Sequence, residues 1–240
     1  MGTVFTIDIR DRGEWAEAID SVVRWLHFVD ATFSTYRADS DMSRIRRGEL
    51  RVADADPEVG VVLELCALAQ RETGGYFTAQ PHGLLDPTGL VKGWAIERAS
   101  MLLREFGSSN HAVNGGGDMQ LAGEAGPAEP WRVGVSDPHD PSRVLGVVTG
   151  RDLAVATSGV AERGSHIVNP FTGRPATGLA SVTVVGSGIT DADVYATSAI
   201  AMGPDAVRWL ESLAGLEALL VTTDGDVAAT GGWPSSRRAA

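Results

Sequence analysis

The 240-residue chain predicts an α+β fold, with largely antiparallel strands flanked by helices. Stretches with apolar residues at helical spacing are interspersed with short β-branched runs of period two, so both element types are present. In the second half, strand-like runs follow one another across short turns, the arrangement of an antiparallel sheet. There is no internal repeat and no low-complexity linker. The chain therefore reads as one compact unit over 1–240, with 234–240 frayed at the C-terminus.

Each element has a local reason. Val4 to Ile9 alternates like a half-buried strand, and Glu14 to Phe33 carries Trp15, Ile19, Val22, Val23, Leu26 and Val29 at the spacing of an amphipathic helix. A short helix capped by Ser40 follows. Tyr36, just before it, has two readings: a ring that stacks on a planar ligand, or one that closes the core with its hydroxyl in water. Asp56 and Pro57 form a cap and first turn for a helix through Gln70, stopped by Gly74 and Gly75. Val91, Trp94, Ala95, Ala99, Leu102 and Leu103 mark a further helix ending at Gly107. Lys92 lies near the start of that helix, where a cation needs an anionic partner, and a phosphate would serve. Asp86 precedes it, and Gly89 permits close backbone approach.

In HAVNGGGDMQLAG, two short apolar pieces flank Asn114, three glycines and Asp118, a turn or a backbone pressed against a neighbour. This is not a dinucleotide fingerprint, and no Walker-type sequence occurs. Trp131–Val135, Val144–Thr149 and Asp152–Thr157 read as successive antiparallel strands. A helix from Pro204 to Leu213, a strand at Leu219–Thr223 and an edge hairpin through Asp224-Gly225 complete the chain.

Composition narrows the function classes. Twenty basic residues against 31 acidic ones give a formal charge of −11. Such a field repels a phosphate backbone, which argues against nucleic-acid binding, and an anionic ligand needs local Lys, Arg or metal charge. The single cysteine, Cys66, excludes an internal disulfide and a Cys-rich zinc cluster, and its place on the apolar side of a helix marks a packing thiol. No stretch reaches the roughly twenty apolar residues needed to span a bilayer, so no membrane insertion is expected. MGTVFTIDIR lacks the basic segment and apolar run of a secretory signal, and cytoplasmic residence is the expectation.

Ala154 to Thr197 concentrates polar and ionisable residues among Gly and Pro, the pattern of a site. Asp193 and Thr197 are four residues apart at helical spacing, so both oxygens share one helix face and could hold a hard cation such as Mg²⁺. A capping Asp and a packing Thr would give the same pattern. His166 lies upstream as a possible proton acceptor.

Eight strings, in order, resemble the FAD:protein FMN transferases of the ApbE type: MGT at Met1 to Thr3, TFSTYRADSDMSRI, GYF, DPTGLVKGWAIERA, VNGGGD, AVATSG, HIVNPFTGRP and DADVYAT. The resemblance implies an FAD cleft between two intimate halves. It also implies a Mg²⁺-dependent transfer of the FMN half of FAD to a Thr or Ser hydroxyl of an acceptor flavoprotein, with release of AMP. Asp193, Thr197 and the Gly89 carbonyl would then hold the metal. Asp86, Lys92 and Ile167 would contact FAD, with Met1, Tyr36, Tyr76, Phe77 and Thr78 lining its cleft. Lys92 would also serve catalysis, and His166 would take the acceptor's proton. An FAD pyrophosphatase would use the same metal site, whereas a non-catalytic FAD-binding protein would be marked by loss of the metal ligands, and Asp193 and Thr197 are both present. The chain departs from the family pattern at three places. Only AQPHGLL separates Thr78 from Asp86, Thr78 replaces an acidic residue, and Asn169 stands where Asp is usual.

Overall fold

A computed structural model describes residues 2–159 and 167–233. In chain order the elements are β1 (Phe5–Ile9), α1 (Ala16–Phe33), α2 (Asp41–Arg46), α3 (Pro57–Glu72), α4 (Thr88–Glu105), β2 (His111–Gly115), β3 (Asp118–Ala122), β4 (Trp131–Ser136), β5 (Val144–Gly150) and β6 (Leu153–Gly159). They continue with β7 (Val168–Asn169), β8 (Arg174–Pro175), β9 (Leu179–Gly186), α5 (Ile189–Met202), α6 (Ala206–Glu211), β10 (Glu217–Thr222) and β11 (Val227–Ala229). The expected caps are present. Ser40 accepts from the Ser43 amide at the start of α2, and Asp56 accepts from the Glu58 amide ahead of Pro57 in α3.

Seven strands form one antiparallel sheet in the order β1-β2-β3-β6-β9-β10-β11. The period-two alternation sorts their side chains between two cores. Ala154 and Ala156 of β6, Val182 and Val184 of β9, and Leu220 of β10 join the helices in the main core. Leu153, Val155 and Leu219 point the other way, into a smaller cluster closed by Trp131, Val135 and Val148 of the separate β4–β5 ribbon. The ribbon covers one sheet face and α4 and α5 cover the other, with α1 packed outside α4. Helix α5 has ten buried residues, apolar on almost every side, as a helix between a sheet and a second helix must be.

Several expectations need correction. β4 and β5 pair as predicted, but β6 does not continue that ribbon; it inserts between β3 and β9. Its residues Ala154 to Ala156 are buried on both faces, which only a central strand allows. Within the α1 stripe, Val22 and Val29 are buried whereas Ile19 and Val23 are exposed, so the buried face is narrower than the apolar pattern. The helix around Asp193 runs 14 residues, and the one after Pro204 is only Ala206–Glu211. Tyr36 is 98% exposed, which removes the core-closing reading of its ring. Cys66 is buried, and burial pushes its thiol up to about 12, in keeping with a packing role.

Candidate active site

Helices α4 and α5 cross where α4 carries Gly93. A Cβ added there would stand 2.8 Å from the Ile189 carbonyl oxygen and 3.1 Å from the Asp193 Cβ. Glycine in a helix interior costs about 1 kcal/mol relative to alanine, and here it permits the close crossing. The Gly93 amide donates to Asp193 at 3.2 Å. Asp193 is the fifth residue of α5, so it does not cap the helix; its carboxylate is buried against α4.

Lys92, one residue earlier, is the charge centre of the crossing. Its ammonium donates to Asp118, the first residue of β3, and lies 3.4 Å from the second oxygen of Asp193. The anionic partner that Lys92 was expected to need is thus supplied within the protein by two carboxylates. Burial works to strip the ammonium of its proton, but the charges of Asp193 and Asp118 outweigh it and hold Lys92 above the ordinary lysine range. For Asp193 burial is the largest effect and raises its pKa. Lys92 pulls it back, and the like charge of Asp118 adds to the rise. Two carboxylates thus flank one ammonium, and burial works against full ionisation of Asp193.

Thr197 is one turn beyond Asp193 on α5, and its hydroxyl is 3.0 Å from that of Ser158 on β6. Gly89 is exposed near the start of α4, one turn before Gly93. Asp193, Thr197 and the Gly89 carbonyl offer only hard oxygen donors, and a cation beside them would favour the ionised form of the buried Asp193 carboxylate. The set therefore fits Mg²⁺ chemically. Among the described residues, no group of three or more His, Cys, Asp or Glu is arranged to hold a metal ion, so any metal here depends on hydroxyl and carbonyl donors.

The remaining predicted residues fall into two groups. Tyr76 meets Phe171 edge to face at 4.8 Å, which joins the 76–78 segment to the β7–β8 ribbon that follows Ile167. A cavity of about 440 Å³ opens between them, lined by Thr78, Gln80, Pro81, Val168, Pro170 and Phe171 among others. Phe77 is buried with its ring edge toward Gly89, and Ile167 packs on the main core. Asp86 accepts from the amide and hydroxyl of Thr88 at 3.0 and 2.6 Å, an Asx turn just ahead of α4, whose N-cap position is Pro87. Asn169 accepts from the Phe171 and Thr172 amides and donates to the Ala201 carbonyl, a bond that an unprotonated Asp could not make. Among the described residues, no ring contact joins Tyr36 to these side chains. Met1 and His166 lie outside the described residues.

Sequence reasoning missed Asp118, Gly93 and Ser158 as parts of the cluster. Two signals pointed toward them: an acid directly after a triple-glycine turn, and a glycine inside a strongly helical pattern.

The fold, an antiparallel sheet covered by helices, is shared with solved flavin transferases. The flavin transferase ApbE from Vibrio cholerae superposes with a TM-score of 0.82 at 23% identity, covering 96% of this chain and 94% of that one. The apbe protein from Thermotoga maritima gives 0.83 at 21% identity, covering 95% and 96%. The sequence pattern of the ApbE family matches residues 1–82 and 78–220, and the chain belongs to the ApbE family. The FAD:protein FMN transferase of Rhodobacter capsulatus is 32% identical over 197 residues, 74% of this chain and 38% of that protein. That of Escherichia coli (strain K12) is 30% identical over 156 residues, 61% of this chain and 44% of that protein. The chain thus spans less than half the length of these relatives.

Proposed function

We propose that the chain transfers the FMN half of FAD to a Thr or Ser hydroxyl of an acceptor flavoprotein, releasing AMP. The observation that carries this reading is the convergence of Lys92, Asp193 and Thr197 on the α4–α5–β6 junction of an ApbE-family chain. In the reaction the acceptor oxygen bonds to the FMN-side phosphorus. The P–O bond to the bridging oxygen breaks, AMP leaves with that oxygen, and the hydroxyl proton passes to His166.

Asp193, Thr197 and the Gly89 carbonyl would hold Mg²⁺, which when bound neutralises charge on the pyrophosphate oxygens. Lys92 has three N–H donors and commits one to Asp118, with Asp193 an ion-pair partner at 3.4 Å, so donor capacity remains for a phosphate oxygen. Asp86 and Ile167 would contact FAD, and Tyr76, Phe77 and Thr78 would line its cleft. Met1 and Tyr36 would complete the cleft. Positioning and electrostatic stabilisation are what phosphoryl chemistry asks of a protein.

The test is AMP release from FAD by the purified protein, in the presence of a hydroxyl-bearing acceptor flavoprotein, with and without Mg²⁺. AMP is expected only with the metal, and Asp193→Ala is expected to lose at least 10²-fold in rate, the scale of a lost electrostatic group. Undiminished cleavage in Asp193→Ala would sink the reading.

A further inference from the structure

We propose that Asp118 is a positioning residue of this site: it holds the Lys92 ammonium off Asp193, so that the Asp193 carboxylate stays available to a divalent cation. The proposal rests on the reading of Asp193 as a cation ligand. Asp118 opens β3 directly after Gly115, Gly116 and Gly117, and its side chain is buried. Both of its oxygens are committed. One accepts the Thr157 amide at 2.9 Å, where the backbone ladder between β3 and β6 has ended at Met119 and Val155. The other accepts from Lys92. Strand β6 therefore fixes the carboxylate, and the carboxylate fixes the ammonium.

Asp193 is tied less tightly. Its contacts are the Gly93 amide at 3.2 Å and Lys92 at 3.4 Å, and a carboxylate has about four acceptor positions. Opposite charges attract more strongly as they approach, and in this buried setting little water screens them. With Asp118 neutral, Lys92 has one carboxylate left to satisfy it, and it would compete there with any cation. Asp118 thus acts on the metal site through Lys92, without touching the ion.

Mn²⁺ alone serves as the probe, its affinity read by electron paramagnetic resonance on the full chain. Asp118→Asn keeps an oxygen for the Thr157 amide and removes the charge; it is expected to weaken Mn²⁺ binding at least tenfold. Lys92→Gln removes the competitor and is expected not to weaken it. The double variant is expected to match Lys92→Gln, because a positioning residue has no effect once the group it positions is gone. Equal weakening by Asp118→Asn with and without Lys92 would mean a purely structural role and overturn the proposal. If the unaltered protein and Asp193→Ala bind Mn²⁺ equally, the cation reading falls and the proposal with it. A second measurement needs no variant. In ¹⁵N-lysine-labelled protein, the scalar coupling from Lys92 Nζ to the Asp118 carboxyl carbon is expected to persist as Mg²⁺ saturates the site, and its loss would overturn the proposal.

Discussion

His111 shows how one buried residue makes stability depend on pH. It opens β2 with no exposed surface, its Nε2 lying 2.8 Å from the Ser100 hydroxyl and its Nδ1 2.9 Å from that of Ser108. Ser108 donates its own proton to Asp11, so the ring donates from Nδ1, and burial keeps the ring neutral. Burial pushes its pKa down to about 4, with the Arg104 charge adding to the fall. The unfolded chain takes up a proton near pH 6.5 that the folded one refuses. The stabilisation is therefore complete above pH 6.5 and is lost as pH falls toward 4. Between pH 7 and 5 this residue should remove about 2 kcal/mol of stability. Urea unfolding of the unaltered protein and His111→Gln at both pH values tests it: the variant should show a drop smaller by about that amount. Equal drops would rule His111 out as the source.

At the scale of elements, α4 joins folding and chemistry. The Asx turn at Asp86 leads into it, its fifth residue is Lys92 and its sixth is the glycine that admits Asp193. Asp86→Ala removes the bonds to Thr88 and should cost about 0.5–1.5 kcal/mol, whereas Asp86→Asn, which keeps an acceptor oxygen, should keep the melting temperature. If the Asp86 charge also serves FAD, Asp86→Asn should bind FAD differently while remaining as stable, which calorimetry of both variants resolves. Helices and strands of this kind were legible in the sequence because caps, glycine stops and periodicity act over a few residues. The place of β6 was not. Its two partners, β3 and β9, are set by pairings across the whole sheet, and no local pattern states them.

The same distinction holds for the site within the whole molecule. Asp193 and Thr197 were legible as a pair because one helix turn joins them. The Lys92–Asp118 and Gly93–Asp193 contacts join residues 26 and 100 positions apart, and only the folded sheet and helices bring them together. What composition does give is the field that surrounds this cluster, a formal charge of −11 on a chain of 240 residues. A chain of that length has a radius of gyration of about 18 Å. At 0.01 M salt the screening length is about 30 Å, so an approaching FAD anion meets the charge of the entire molecule. At 0.15 M the length is about 8 Å, and only nearby groups act. The cluster itself, two carboxylates and one ammonium, gives no positive field strong enough to reverse the repulsion. Association of FAD should therefore quicken as NaCl is raised from 0.01 to 0.15 M, the reverse of a binding site that attracts anions by its surface charge. Stopped-flow flavin fluorescence without divalent cations measures this rate directly. A rate that falls with salt would mean that cations elsewhere on the surface steer FAD to the cleft, against the sign of the net charge.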